Sequence, residues 1–164
     1  MNNIIKMLDE YEANKPKKAR KPPYRKPQSI KDLEDKLFEL KKQKYVDSPY
    51  LVKHKLRDDT ANGLTKCVCA WLKVNGYFGA RTNTTGIYNA KLGRYIHSGS
   101  TKGQADINAV VSGRSIQIEI KIGKDKPRAE QLKIAEQVRN AGGQYLFVKS
   151  FDDFLGQIKP FTAF

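Results

Sequence analysis

Between Ser115 and Ile122 the chain reads Ser-Ile-Gln-Ile-Glu-Ile-Lys-Ile. A period of two puts the four isoleucines on one side of a strand and Gln117, Glu119 and Lys121 on the other, with Glu119 and Lys121 roughly 7 Å apart at Cα. Alone, an acid and a base so placed are what any half-exposed antiparallel strand shows. The preceding segment adds to them. Gly103-Gln104-Ala105-Asp106 sets an acid at the start of a strand, and Ser112-Gly113 turns that strand back into the one carrying Glu119. Pairing about a two-residue turn brings Asp106 roughly opposite Lys121 or its neighbour, within a couple of residues of register. Two carboxylates and an amine then converge at one sheet end. Converging carboxylates repel, and a hard cation such as Mg²⁺ relieves that repulsion through oxygen ligands. A cation can activate water and neutralise charge on a phosphoryl group, while a lysine orients the water or stabilises the pentavalent charge. Phosphodiester hydrolysis needs these parts.

The elements that must position these residues are legible from about residue 58. Thr60 or Asn62 caps a helix with Leu64, Cys67, Val68, Trp71, Leu72 and Val74 on its apolar face, and Asn75-Gly76 closes it. A strand from Tyr77 to Thr82 follows, then a turn-rich loop from Asn83 to Gly103 in which Arg94–His97 forms a brief strand. Strands Asp106–Val111 and Arg114–Ile122, a helix over 127–141 ended by Gly142-Gly143, a strand over 144–149 and a short helix over 151–158 complete the pattern. The order is helix, three strands, helix, strand: an α/β chain with a small mixed sheet.

Upstream, Ser29 and Asp32 have the spacing of a capping box, and Ile30, Leu33, Leu37 and Leu40 make one apolar stripe. Docking on the main domain is its default use, and it also offers an interface for a homodimer. The stretch from Tyr45 to Asp59 has no readable pattern. The chain thus divides into a basic arm (1–28), a helical extension (29–57) and a main domain (58–164).

Charge narrows the partners. Of 164 residues, 31 are Lys or Arg and 17 Asp or Glu, for a net charge of +14. Residues 15–27 hold seven of the basic residues, four of the seven prolines and no acid. Such a segment cannot build a core and is expected to be an extended, disordered arm that neutralises phosphates, with Tyr24 placed to stack on a base. Lys15, Lys17, Lys18, Arg20, Lys21, Arg25 and Lys26 are its candidate DNA contacts. No run reaches the ~18 apolar residues of a spanning helix, and the N-terminus lacks the apolar block of a signal peptide, so a cytoplasmic protein with no membrane partner is expected. Cys67 and Cys69 make neither a disulfide framework nor a zinc signature and read as packing thiols.

The ordered set Gly103-x-x-Asp106, then Glu119-Ile120-Lys121 after 12 residues, then Gln131, resembles the Asp…Glu-x-Lys signature of the PD-(D/E)xK nuclease superfamily. With Gly142-Gly143-Gln144-Tyr145-Leu146-Phe147-Val148 leading on to Asp152-Asp153-Phe154, it is similar to the VRR-NUC branch in particular, over about residues 60–157. The resemblance implies a restriction-endonuclease-like αβββαβ core. It implies that Asp106, Glu119 and the backbone carbonyl of Ile120 ligate Mg²⁺ (or Mn²⁺), that Lys121 positions the attacking water, and that Gln131 holds substrate or a metal-bound water. Ala105 stands where the motif has proline. Many members carry a Glu early in the first helix; here the chain reads Ala61-Asn62-Gly63-Leu64, with Asn62 as the neutral ligand available.

Further DNA contacts are expected from Arg81 and Asn83 at the end of the first strand, from Lys102 in the loop after His97, and from Lys124, Lys126 and Arg128 before the Gln131 helix, whose N-terminus itself attracts phosphate. The expected activity is a Mg²⁺-dependent DNA endonuclease selective for branched, flap or nicked DNA. The alternatives are a DNA-binding module of the same fold without turnover, or a nucleic-acid-packaging protein. A packaging role leaves Asp106, Glu119 and Lys121 unexplained.

Overall fold

The alternating run after Ser115 forms the axis of a four-stranded mixed sheet in the computed structural model, which describes residues 23–82, 87–96 and 101–162. The described elements are α1 (Gln28–Lys44), α2 (Ala61–Val74), β1 (Phe78–Arg81), β2 (Ile87–Asn89), β3 (Arg94–Ile96), β4 (Ile107–Val111), β5 (Arg114–Ile120), α3 (Ala129–Asn140), β6 (Gln144–Val148) and α4 (Phe151–Thr162). The sheet order is β1-β4-β5-β6. β4 runs antiparallel to β1 and β5, and β6 returns through α3 to lie parallel to β5. The described residues are therefore mixed α/β, with four helices around this sheet. β2 and β3 form a separate antiparallel hairpin between β1 and β4. Among the described residues no helix is long and apolar enough to cross a membrane.

The strand periodicity decides which residues enter the core. Ile107, Ala109 and Val111 of β4 and Ile116, Ile118 and Ile120 of β5 all face one side and are buried there with Leu146 and Val148 of β6. Against them pack Leu64, Cys67, Val68 and Leu72 of α2, Ile30 and Leu33 of α1, and Phe151, Phe154 and Ile158 of α4. Each large side chain so buried contributes about 1.5–3 kcal/mol. α3 covers the opposite face with a smaller cluster of Ala105, Ala135 and Tyr145. The polar side of β5, expected to be half-exposed, is thus roofed at its Glu119 end.

Several local expectations are revised by long-range contacts. Helix α1 begins at Gln28 with Pro27 as N-cap and no side-chain cap, so Ser29 and Asp32 form no capping box. The Ser29 hydroxyl instead donates to Asp152 at the start of α4, and Asp32 accepts from Gln28. The α1 stripe is used within the chain: Ile30 and Leu33 are buried, Leu37 packs beside them, and Leu40 is left exposed. Most of the stripe is thus spent on the chain's own core. Of the two expected caps of α2, Thr60 is the one used; its hydroxyl accepts from the Gly63 N–H.

The stretch from residue 45 to 59 has no regular structure, yet side chains pin it. Glu34 on α1 is buried and accepts from both the Leu56 N–H at 2.5 Å and Lys26 at 2.6 Å. Asp58 is buried as well; it accepts the Tyr24 hydroxyl at 2.9 Å and the Phe151 N–H at 3.0 Å, which places a carboxylate at the N-terminus of α4. The extension and the main domain therefore share one core and one polar seam, so residue 57 marks no boundary in the packing.

Candidate functional site

Ile107 pairs with Ile118 across β4 and β5, and one further step in that register sets Asp106 level with Glu119. This lies within the couple of residues of register expected about Lys121, and the tight Ser112-Gly113 turn, in which Ser112 itself adopts a left-handed φ of 48°, sets it. Strand alternation puts Asp106 and Glu119 on the α3 side of the sheet. Asp106 Oδ2 accepts from the Ile120 N–H at 2.9 Å. Glu119 is buried, at 4% exposure, and its Oε1 takes two donors: Gln131 Nε2 at 2.5 Å and Lys121 Nζ at 3.1 Å. Glu119 Oε2 is buried with no hydrogen-bond partner among the described residues. Burial, followed by the neighbouring Asp106 carboxylate, raises the Glu119 carboxyl above its ordinary range, against the pull of Lys121.

Gln131 earns its place through both ends of one amide. Its Oε1 accepts from the Arg128 N–H at 2.9 Å and so caps α3, while its Nε2 holds Glu119. The two partners, one donor and one acceptor, require this orientation of the amide. Helix α3 in turn is seated by Gly103, whose positive φ lets the loop before Asp106 lie directly on the Glu130–Gln131 backbone. One loop, one strand and one helix start thus converge on a single carboxylate.

Lys121 is buried, at 3% exposure, and pairs with Glu119 and with Asp125 Oδ2 at 3.3 Å. Asp125 was not foreseen from the sequence; it lies in the turn after β5, and only its four-residue spacing from Lys121 hinted at a partner. Two amides were missed too. Asn108 and Gln117 are direct cross-strand partners on the same face, and Asn108 Oδ1 and Gln117 Oε1 are buried without a hydrogen-bond partner among the described residues. Each such acceptor costs on the order of 1–3 kcal/mol unless something donates to it. Tyr145 also lies here; its hydroxyl donates to the Gly103 carbonyl, and burial, then Glu119 and Asp106, push its ionisation up.

The oxygen donors at this sheet end are of the type a hard divalent cation takes. Glu119 Oε2 is a buried carboxylate oxygen lacking a partner among the described residues, Asp106 stands level with Glu119 in the strand register, and the three carboxylates here outnumber the one ammonium. No three His, Cys, Asp or Glu side chains gather closely enough among the described residues to enclose an ion. A cation held by Asp106, Glu119 and the Ile120 carbonyl would complete its shell with water and phosphate oxygens, as Mg²⁺ does.

The candidate DNA contacts divide sharply. Lys124, Lys126 and Arg128 are exposed on the segment leading into α3, and Lys102 is exposed next to Gly103, which packs on the first turn of that helix. Arg81 falls on the opposite face of the sheet, and its guanidinium donates to Asn62 Oδ1 at 2.8 Å. That bond also occupies Asn62, the neutral ligand considered above. Arg25 is exposed, whereas Lys26 is committed to Glu34. Tyr24 is not open for base stacking: Arg57 covers its ring at 4.8 Å and Asp58 holds its hydroxyl. Lys15, Lys17, Lys18, Arg20, Lys21, Asn83 and His97 lie outside the described residues. Cys67 is buried and Cys69 half-buried, both as free thiols. Comparison with protein-family models, curated proteins and solved structures gives no match to this chain.

Proposed function

We propose that this chain is a Mg²⁺-dependent DNA endonuclease with a PD-(D/E)xK-type site on a restriction-endonuclease-like core, acting on branched, flap or nicked DNA. The observation that carries the reading is Glu119, level with Asp106: a carboxylate at 4% exposure, oriented by Gln131 and Lys121 through one oxygen, its other oxygen buried without a partner among the described residues. A purely binding protein gains nothing from burying that acid beside a second one and next to phosphate. The element order α2, β1, β4, β5, α3, β6 supports the same reading, since it runs helix, three strands, helix, strand.

A divalent cation held at Asp106 and Glu119 would supply Lewis acidity and offset charge building on the phosphoryl oxygens. The chain's own groups do the rest. Lys121 presents a buried ammonium to the reacting phosphate or its attacking water, where low dielectric strengthens each contact. Gln131 fixes the Glu119 rotamer, and the Ile120 N–H fixes Asp106. Lys102, Lys124, Lys126 and Arg128 hold the flanking phosphates.

The test incubates the full chain with labelled duplex, nicked, flap and four-way-junction DNA in Mg²⁺, Mn²⁺ and EDTA, with Glu119→Ala alongside. Metal-dependent cutting lost in the variant is expected, with the preferred DNA naming the substrate. Tight binding of every DNA without cutting by wild type would replace the enzyme with the binding module.

A further inference from the structure

The chain between Thr82 and Asp106 leaves and re-enters the sheet at one point: the Thr82 N–H donates to the Asp106 carbonyl at 2.8 Å. Whatever lies between is rooted on the backbone of a candidate catalytic residue. It carries the β2–β3 hairpin, whose described side chains belong to neither buried cluster. A two-stranded ribbon without a covering layer is marginally stable and has no reason to carry large apolar side chains outward. This one does. Tyr88 is 55% exposed, Leu92 57% and Tyr95 72%, and Tyr88 and Tyr95 face each other across the ribbon with ring centroids 5.2 Å apart. Lys91 sits in the connecting turn and Arg94 opens β3; neither side chain is paired among the described residues. From Thr82 to Ala105 the sequence contains Lys91, Arg94 and Lys102 and no acid.

We infer that the β2–β3 hairpin is a DNA-engaging arm of the nuclease, in which Tyr88 and Tyr95 stack on unpaired bases while Lys91 and Arg94 hold the adjoining phosphates. This deepens the proposed function and rests on it, since it assigns substrates with unpaired bases (flaps and junction openings) to that same site. Exposed aromatic rings between cations are the chemistry of single-strand binding, because every base offers a face to stack on and every phosphate a charge. Self-association of the hairpin would set two acid-free, positively charged ribbons against each other, so charge favours a polyanion over a second copy. Rooting at Asp106 couples the two events, and a base held on the arm fixes which phosphate reaches the carboxylates.

The experiment compares full-length wild type, Tyr88→Ala/Tyr95→Ala, Tyr88→Phe/Tyr95→Phe and Lys91→Ala/Arg94→Ala. Affinity is measured by fluorescence anisotropy for flap and for fully paired duplex DNA in Ca²⁺, and single-turnover cleavage in Mg²⁺. The alanine pair should lose roughly tenfold in affinity for the flap but not the duplex, and the phenylalanine pair should retain it. The charge variant should flatten the salt dependence for both DNAs, by about two counterions. Unchanged melting temperatures are expected because the hairpin joins no buried cluster. If all variants bind and cut like wild type, the arm is refuted and the nuclease stands. If the aromatic dependence of flap binding appears but wild type cuts nothing, the nuclease reading falls and the arm survives as a binding device. A wild-type dimer that the alanine pair converts to monomer with flap affinity unchanged would overturn the inference in favour of self-association.

Discussion

Replacing Gly103 by alanine separates backbone strain from a contact that organises the site. Gly103 has φ +85°, and a Cβ there would lie 2.6 Å from the Glu130 carbonyl oxygen and 3.0 Å from the Gln131 nitrogen. Gly142, at the other end of α3, has nearly the same φ of +83° but nothing within 4 Å of the added carbon. Both alanines bear the left-handed penalty of about 1 kcal/mol. Only Gly103→Ala must also push the first turn of α3 away, and forcing a methyl against well-packed atoms costs a further ~2 kcal/mol. At about 3 °C per kcal/mol for a chain of this size, Gly103→Ala should melt about 9 °C below wild type and Gly142→Ala about 3 °C below. The retreat of α3 draws Gln131 off Glu119, and a misplacement near 1 Å costs roughly 100-fold in rate. Calorimetric melting and single-turnover cleavage in Mg²⁺ read the two effects. Equal melting losses for the two variants would refute the claim that Gly103 seats α3.

Asp58→Ala removes the acceptor shared by Tyr24 and the Phe151 N–H and should lower stability by about 3 kcal/mol in urea unfolding; a loss under ~1 kcal/mol would show that the seam is ornamental. Burial, then the Asp58 acceptor, pushes Tyr24 up to about 12 from 10.0, so the folded state holds this proton more tightly. Its stabilisation is therefore complete below pH 10 and lost as pH rises through about 12, and Tyr24→Phe should lose less stability than wild type over that window. Burial likewise pushes the Cys67 thiol up to about 12. A disulfide exchange reagent at about pH 8 should leave Cys67 unmodified until the chain unfolds, and rapid native-state labelling would contradict its burial.

Legibility followed the range of the interactions. The Ile116, Ile118 and Ile120 alternation, the Ser112-Gly113 turn and the Gly142-Gly143 stop are local rules, and each appears where the residues demand it. Asp106, Glu119 and Lys121 were visible for the same reason, since strand parity and one hairpin bring them together. What escaped was decided at a distance. Ser29 has the spacing of a cap, yet its hydroxyl goes to Asp152, 123 residues away. The segment around Leu56 has no period of its own because Glu34 and Asp58 order it. Strand β2 is three residues long, too short for alternation to register, and is recognised only through β3. That Arg81 lies on the face away from Glu119 follows from strand parity carried across from β4 to β1, where it pairs with Ile107.

The most direct measurement is the single-turnover cleavage rate of one labelled flap DNA in Mg²⁺ by wild type and Lys121→Met, purified identically, with Mn²⁺ binding followed in parallel by calorimetry. Methionine keeps the buried stem and removes only the ammonium. The account predicts a fall of at least ~100-fold in rate while Asp106 and Glu119 continue to bind the ion. Equal rates for the two proteins would contradict it, because the cutting would then come from somewhere other than this site.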